Sequence, residues 1–234
     1  MSGHSKWATT HRQKAVVDAK RGAAFTKLGN MIAIAARGGT DPTTNSSLAL
    51  AIEKARAANM PNANIQRAID RINDKNAAAL EEAVYEGYGP GGVGIIIETA
   101  TDNKNRTYPE VRTALTKNGG TMADSGSVMF QFARKGVIRV AASGEEALLT
   151  VLDAGAEDAT EEDGGLTVYT DKKELAKVRE ALLAAGMTVE DAELQYVPNN
   201  TVAIEDDETA RKLTKIIDAL EALDDETNVA TNAA

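Results

Sequence analysis

A chain of 234 residues, 43% hydrophobic and 26% charged, has room for one large domain or two to three small ones with a packed core, and is too balanced for a disordered or fibrous protein. The lack of cysteine excludes disulfides, thiolate metal centres and a cysteine nucleophile and suits a reducing cytoplasm. The longest apolar run, Met31 to Ala36, falls far short of the roughly 20 residues that span a bilayer.

The net charge of −9 hides a gradient. Residues 1–76 carry 12 Lys/Arg against 5 Asp/Glu, residues 77–140 carry 7 of each, and residues 141–234 carry 7 against 23. The front of the molecule is therefore basic and the back acidic, an asymmetry that hints at a polyanionic partner for the front. The acidic back reads as solvated surface.

In chain order, the start Met1–Trp7 has no apolar stretch of the signal-peptide kind. His11 to Arg37 is alanine-rich, with Phe25, Leu28, Ile32 and Ala35 or Ala36 at helical spacing, and predicts one helix or two divided at Gly22. Gly38 to Pro42 ends it. Leu48, Ile52 and Ala55 mark a second helix; Ile65, Ala68, Ile69 and Ile72 mark another, opened by Pro61. Residues 1–76 thus read as a basic helical domain with a flexible leading arm.

The pattern changes near residue 77. Val84–Tyr88 and Val93–Thr99 are expected strands around the turn Gly89-Pro90-Gly91-Gly92, followed by a helix at Arg106–Asn118 and a strand at Val128–Ala133. From Val137 a β-α-β-β-α-β order appears: strand to Ala141, helix 145–152, strands near 157–161 and 166–169, helix 172–185, strand 189–196. This is the split βαβ of ferredoxin-like domains. Thr201–Ile204 reads as a strand, and Ala210, Leu213, Ile216, Ile217, Leu220 and Leu223 give an amphipathic helix. A lone strand and helix cannot bury themselves, so they are expected to return to the 77–136 unit. The predicted architecture is α+β: a helical domain at 1–76, a discontinuous central α/β domain at 77–136 plus 198–226, a ferredoxin-like (βαββαβ) insertion at 137–197, and a frayed tail at 227–234.

The chemical inventory is thin. Gly87–Gly92 matches G-x-G-x-x-G, but a strand follows where a dinucleotide site needs a helix N-terminus, so a hairpin is expected. His4 and His11 are two donors, too few for zinc, and the acids Glu157, Asp158, Glu161, Glu162 and Asp163 lack calcium-loop spacing. No catalytic constellation, cofactor or metal site is expected. What remains is a basic set, Lys6, Trp7, His11, Arg12, Lys14, Lys20, Arg21 and Lys27, interrupted only by Asp18. Lysine and arginine release counterions from a phosphate backbone, and Trp7 offers a ring for stacking. A basic helix neutralised by the chain's own acidic part fits equally well. Arg112, Lys117, Arg134, Lys135 and Arg139 suit an extension of this surface or ordinary surface charge. No segment displays an unmistakable recognition helix opening on base-reading Arg, Asn or Gln.

Several blocks, in order, carry a resemblance: Gly3-His4-Ser5-Lys6-Trp7, Asp18–Gly22, Phe25–Leu28, Asn59-Met60-Pro61, Tyr85-Glu86-Gly87-Tyr88-Gly89-Pro90-Gly91-Gly92-Val93, Thr101-Asp102-Asn103-Lys104-Asn105-Arg106-Thr107, Gly126-Ser127-Val128 and Lys135-Gly136. The chain resembles the YebC/PmpR family, which also includes the mitochondrial translational activator of cytochrome c oxidase subunit I. The resemblance implies the same three-domain fold and a cytoplasmic, non-enzymatic regulator of gene expression that binds nucleic acid. The partner would be DNA for a transcriptional regulator, or ribosomal RNA for a translation factor at the ribosome. It points to Lys6, Trp7, Arg12, Lys14, Lys20, Arg21 and Lys27 as the binding surface. It gives no role to Tyr85–Gly92, Asp102, Asn103, Arg106 or Thr107. A nucleotide-dependent enzyme using Gly87–Gly92 is a weaker third expectation.

Overall fold

A computed structural model describes residues 19–74, 78–162 and 164–234, with side chains from Gly22 onward. The leading arm and the part of the expected helix before Ala19 lie outside the described residues. From there α1 (Ala19–Ala36) runs unbroken through Gly22, so no division occurs at that glycine. Helices α2 (Ser46–Ala57) and α3 (Asn62–Asp70) follow. Asn45 caps α2 by accepting from the Leu48 amide, and its side-chain NH₂ ties the loop to the carbonyls of Ala35 and Gly39. Leu28, Ile32, Ala36, Leu48, Ile52, Ala55, Met60, Ile65 and Ile69 form the core of this bundle. Ile72 departs from its expected inward place: the helix ends at Asp70, and Ile72 sits exposed in a 3₁₀ turn.

Strands β1 (Glu81–Tyr88) and β2 (Gly94–Thr101) form the expected hairpin, and Gly91 and Gly92 turn it with φ of 75° and 78°, a region costly for residues with a Cβ. Helix α4 (Lys104–Lys117) follows, then the short strand β3 (Thr121–Ala123), which pairs with β1. The expected strand at Val128–Ala133 is instead a 3₁₀ turn at Met129–Gln131 leading into β4 (Phe132–Val140). That strand also absorbs the separate strand expected from Val137. Gly136 lies mid-strand, where a Cβ would come within 2.2 Å of Thr170 Oγ1, so it marks close packing between neighbouring strands and not a break.

Helix α5 (Glu145–Asp153), β5 (Asp158–Glu162), β6 (Gly165–Asp171), α6 (Leu175–Ala184) and β7 (Val189–Pro198) complete the insertion. Its antiparallel sheet has the order β5-β6-β4-β7, the ferredoxin-like arrangement for a β-α-β-β-α-β chain. Val140, Val151, Leu166, Val168, Val178 and Leu182 lie in its core.

The chain then returns. Residues 201–204, expected as a strand, contribute one bridge between Val202 and Ala233. Helix α7 (Asp207–Glu221) lays Leu213, Ile216, Ile217 and Leu220 against Ile95, Ile97, Val111 and Leu115, as its periodicity predicts. The tail does not fray: β8 (Glu226–Thr231) pairs with β2 and closes the sheet order β3-β1-β2-β8. Polar residues hold this place because each finds a partner. Asn232 accepts from the Gly94 amide and donates to Gln131, while Asn228 donates to Glu98. The fold is α+β, with a helical N-terminal domain, a discontinuous central domain and an inserted ferredoxin-like domain.

Candidate nucleic-acid interface

Of the expected basic set, Lys6, Trp7, His11, Arg12 and Lys14 lie outside the described residues, and only the backbone of Lys20 and Arg21, in the first turn of α1, is described. Lys27 turns inward. Its ammonium donates to the Glu221 carbonyl and pairs with the Glu226 carboxylate, whose side chain is 4% exposed. Burial pushes Glu226 above the usual carboxylate range, and Lys27 offsets part of that rise. The intramolecular alternative thus applies at this position, one turn and more below Lys20 and Arg21 on the same helix.

The helical domain is held to the rest by further polar contacts. Lys54 pairs with Glu193 and Glu53 with Arg179, both across to the insertion. Asn30 donates to the Ala100 carbonyl and Arg37 to the Leu80 carbonyl. Between these contacts lies a cavity of about 650 Å³, bordered by Lys54 and Leu50, by Glu98 and Arg134, and by Glu193. Arg134 pairs with Glu98 at 2.8 Å and stands over the Tyr196 ring at 5.1 Å. Burial raises the Glu98 carboxyl, with Arg134 and Asn228 opposing it. Arg134, Lys135 and Arg139 are therefore engaged by Glu98, Glu157 and Glu190. Arg112 and Lys117 stay exposed on α4 with no ion pair among the described residues.

The two sequence blocks without an expected role have structural ones. Asn103 caps α4 by accepting from the amides of Asn105 and Arg106. Asp225, buried at the far end of the chain, accepts from Thr101 (2.9 Å), Thr107 (2.6 Å) and Arg106 (2.8 Å), and Arg106 also reaches Asp102 at 3.2 Å. Burial is the largest single effect on Asp225 and raises it. Thr107, Arg106 and Thr101 together outweigh that and hold the carboxyl below its ordinary range. The block locks the start of α4 to the strand that follows α7.

In the other block, Glu86 is 3% exposed and its carboxylate accepts from the amides of Gly126 (2.6 Å), Val128 (2.6 Å) and Met129 (2.8 Å). Tyr88 adds a bond to the Ser127 carbonyl at 2.9 Å. Burial raises the Glu86 carboxyl most, but the three amides together bring it below its ordinary value. The Gly126–Val128 block is thus the partner of Tyr85–Val93. Tyr85 packs with its ring tilted 55° to Tyr108, centroids 6.0 Å apart. Gly87 lies in β1, while Gly89, Pro90, Gly91 and Gly92 form the turn into a strand and not into a phosphate-facing helix. Among the described residues no group of three or more His, Asp or Glu is placed to hold a metal ion, and no helix is long and apolar enough to cross a membrane.

The helical domain also holds a feature that sequence reasoning missed. A short turn at 58–61 joins α2 to α3, and α3 exposes Asn62, Gln66 and Arg67, residue types that hydrogen-bond base edges. The signal was the Asn-Ala-Asn-Ile-Gln-Arg run itself, on a helix whose Ile65, Ala68 and Ile69 face the core.

Two family models cover nearly the whole chain: "TACO1/YebC protein N-terminal domain" over residues 5–75, and "TACO1/YebC second and third domain" over residues 80–233. The chain belongs to the TACO1/YebC family. A Moorella thermoacetica relative named "Probable transcriptional regulatory protein" is 51% identical, covering 100% of this chain and 95% of its own length. A Chlorobaculum tepidum protein of the same description is also 51% identical, covering 99% and 94%. The crystal structure of a conserved hypothetical protein from Aquifex aeolicus matches with a TM-score of 0.91 at 43% identity, over 98% of this chain and 97% of that one. The TACO1/YebC blocks at 85–93, 101–107 and 126–128 therefore fall where the fold needs them: at a tight hairpin, a helix cap and a buried carboxylate.

Proposed function

We propose that this protein is a non-enzymatic regulator of gene expression that binds nucleic acid through its basic N-terminal head. The observation that carries the reading is the charge distribution: 7 Lys/Arg against 1 Asp/Glu in residues 1–37 of a chain whose overall charge is −9. The naming of its relatives as probable transcriptional regulatory proteins supports the same class. The proposed surface is Lys6, Trp7, His11, Arg12, Lys14, Lys20 and Arg21; Lys27, engaged by Glu226, is left to the domain junction. The acidic insertion repels phosphate and limits indiscriminate coating of nucleic acid.

DNA, as for a transcriptional regulator, is the first partner, and the exposed Asn62, Gln66 and Arg67 of α3 favour it. RNA at the ribosome is the second, favoured by the aromatic hollow described below. Neutralising about six phosphates makes affinity fall roughly a thousandfold between about 50 and 200 mM salt. Charge reversal at Lys14, Lys20 and Arg21 abolishes binding with the fold intact. A flat salt response and unchanged affinity in that variant refute the proposal. Crosslinking in cells followed by sequencing of bound DNA and RNA decides the target.

A further inference from the structure

Two residues of the Thr101–Thr107 block are not absorbed by the lock around Asp225. Lys104 and Asn105 are exposed in the first turn of α4, and with Glu82, Ala83, Tyr85, Tyr108 and Pro109 they line a hollow of about 450 Å³, within the range of small-ligand clefts. Strand alternation sends Glu81, Ala83 and Tyr85 toward α4, while Val84 and Glu86 face the other side of the sheet.

From this arrangement we infer that the hollow receives an unpaired nucleobase of a single strand, together with its neighbouring phosphate. Four observations converge on that chemistry. Tyr108 is 44% exposed, and its tilt against Tyr85 leaves a ring face open for stacking; such contacts tolerate any base. Lys104 is paired at 2.7 Å with Glu81, both more than half exposed. An ion pair of that kind contributes little, so a phosphate replaces it at small cost. The N-terminal end of α4 adds its positive dipole in the same place.

The fourth observation concerns the backbone. Pro109 sits inside α4 and has no N–H, so the Asn105 carbonyl lacks the donor that residue 109 normally supplies. A helix-interior proline is costly, and here it stands in the lining of the hollow next to the exposed Tyr108. The side-chain amide of the exposed Asn105 gives a base edge both an acceptor and a donor.

The inference rests on the nucleic-acid reading and is tested so that the two fail separately. The full chain is titrated with a labelled 12-nucleotide single strand, as RNA and as DNA, and with the corresponding duplex. Tyr108→Ala is expected to weaken single-strand binding about tenfold or more and to leave duplex binding unchanged. Tyr108→Phe keeps the ring and retains affinity. Tyr108→Leu keeps apolar volume without a stacking face and behaves as the alanine variant, which covers the case in which the alanine variant misfolds. Binding by the wild type with full affinity in both Tyr108→Ala and Tyr108→Leu overturns this inference alone. Failure of the wild type to bind either form overturns the nucleic-acid reading, and this inference with it.

Discussion

Glu86→Gln isolates the buried carboxylate that organises residues 126–129. In the wild type three amides donate to it at 2.6, 2.6 and 2.8 Å, and hydrogen bonds to a charged group contribute about 1.5–3 kcal/mol each. Glutamine keeps one oxygen, which serves Val128 and Met129 through neutral bonds of about 1 kcal/mol. Its NH₂ then faces the Gly126 amide, donor against donor. The gross loss is about 4 kcal/mol; relief from burying a charge returns part of it, leaving a net destabilisation of about 2–3 kcal/mol. Urea denaturation followed by circular dichroism measures the total, and hydrogen exchange of the 124–131 segment locates it.

The pH dependence supplies a second readout. The folded Glu86 carboxyl lies below its ordinary value of 4.5, so its contribution is complete above that value and is lost as pH falls through the folded pKa. The gap between wild type and Glu86→Gln therefore closes in acid. A loss below about 0.5 kcal/mol at pH 7, with exchange in 124–131 unchanged, refutes the assignment of Glu86 as the anchor of that segment.

Asp225→Asn weakens the lock among Thr101, Arg106 and Thr107 and lowers stability by about 2–4 kcal/mol in the same denaturation assay. Since the Asp225 carboxyl is also held low, that penalty shrinks as pH falls below 3.8. Lys27→Ala leaves Glu226 buried without its cation and costs about 3–5 kcal/mol. Combining Lys27→Met with Glu226→Gln recovers most of it, and a double-mutant cycle with no coupling contradicts the junction described here. Deleting residues 226–234 exposes the outer edge of β2 and yields aggregating, dye-binding protein; a soluble, cooperatively melting product refutes the placement of β8.

Much of this architecture was legible because burial and periodicity coincide. Leu213, Ile216, Ile217 and Leu220 announce α7 by spacing alone, and the strand-helix order from Val137 names the ferredoxin-like unit even though β5 is built of Asp and Glu. The misses have a common physical cause. The tail reads as polar because Asn228 and Asn232 are polar, and only their partners, more than a hundred residues away, make burial tolerable. The three-residue β3 is too short to show a period, and Val128 to Gln131 looks like a strand until Glu86 is seen to gather its amides. One signal was available: Val84, Glu86 and Tyr88 share a face, so an acid stood at an inward position and required donors. The basic surface was legible as composition, but not in its details, since the same lysine chemistry serves a phosphate or, at Lys27, a buried glutamate.

The position of β8 bears on how the protein is made. The strand that flanks the isoleucine-rich β2 is synthesised long after it, once the whole insertion and α7 have been made. During synthesis the bundle and the insertion can each close on residues already present, whereas the central sheet waits with one flank uncovered. A chain in which β8 has not yet arrived would thus carry two finished lobes joined by an adhesive, half-built middle, which makes completion of the central sheet depend on residues 226–231.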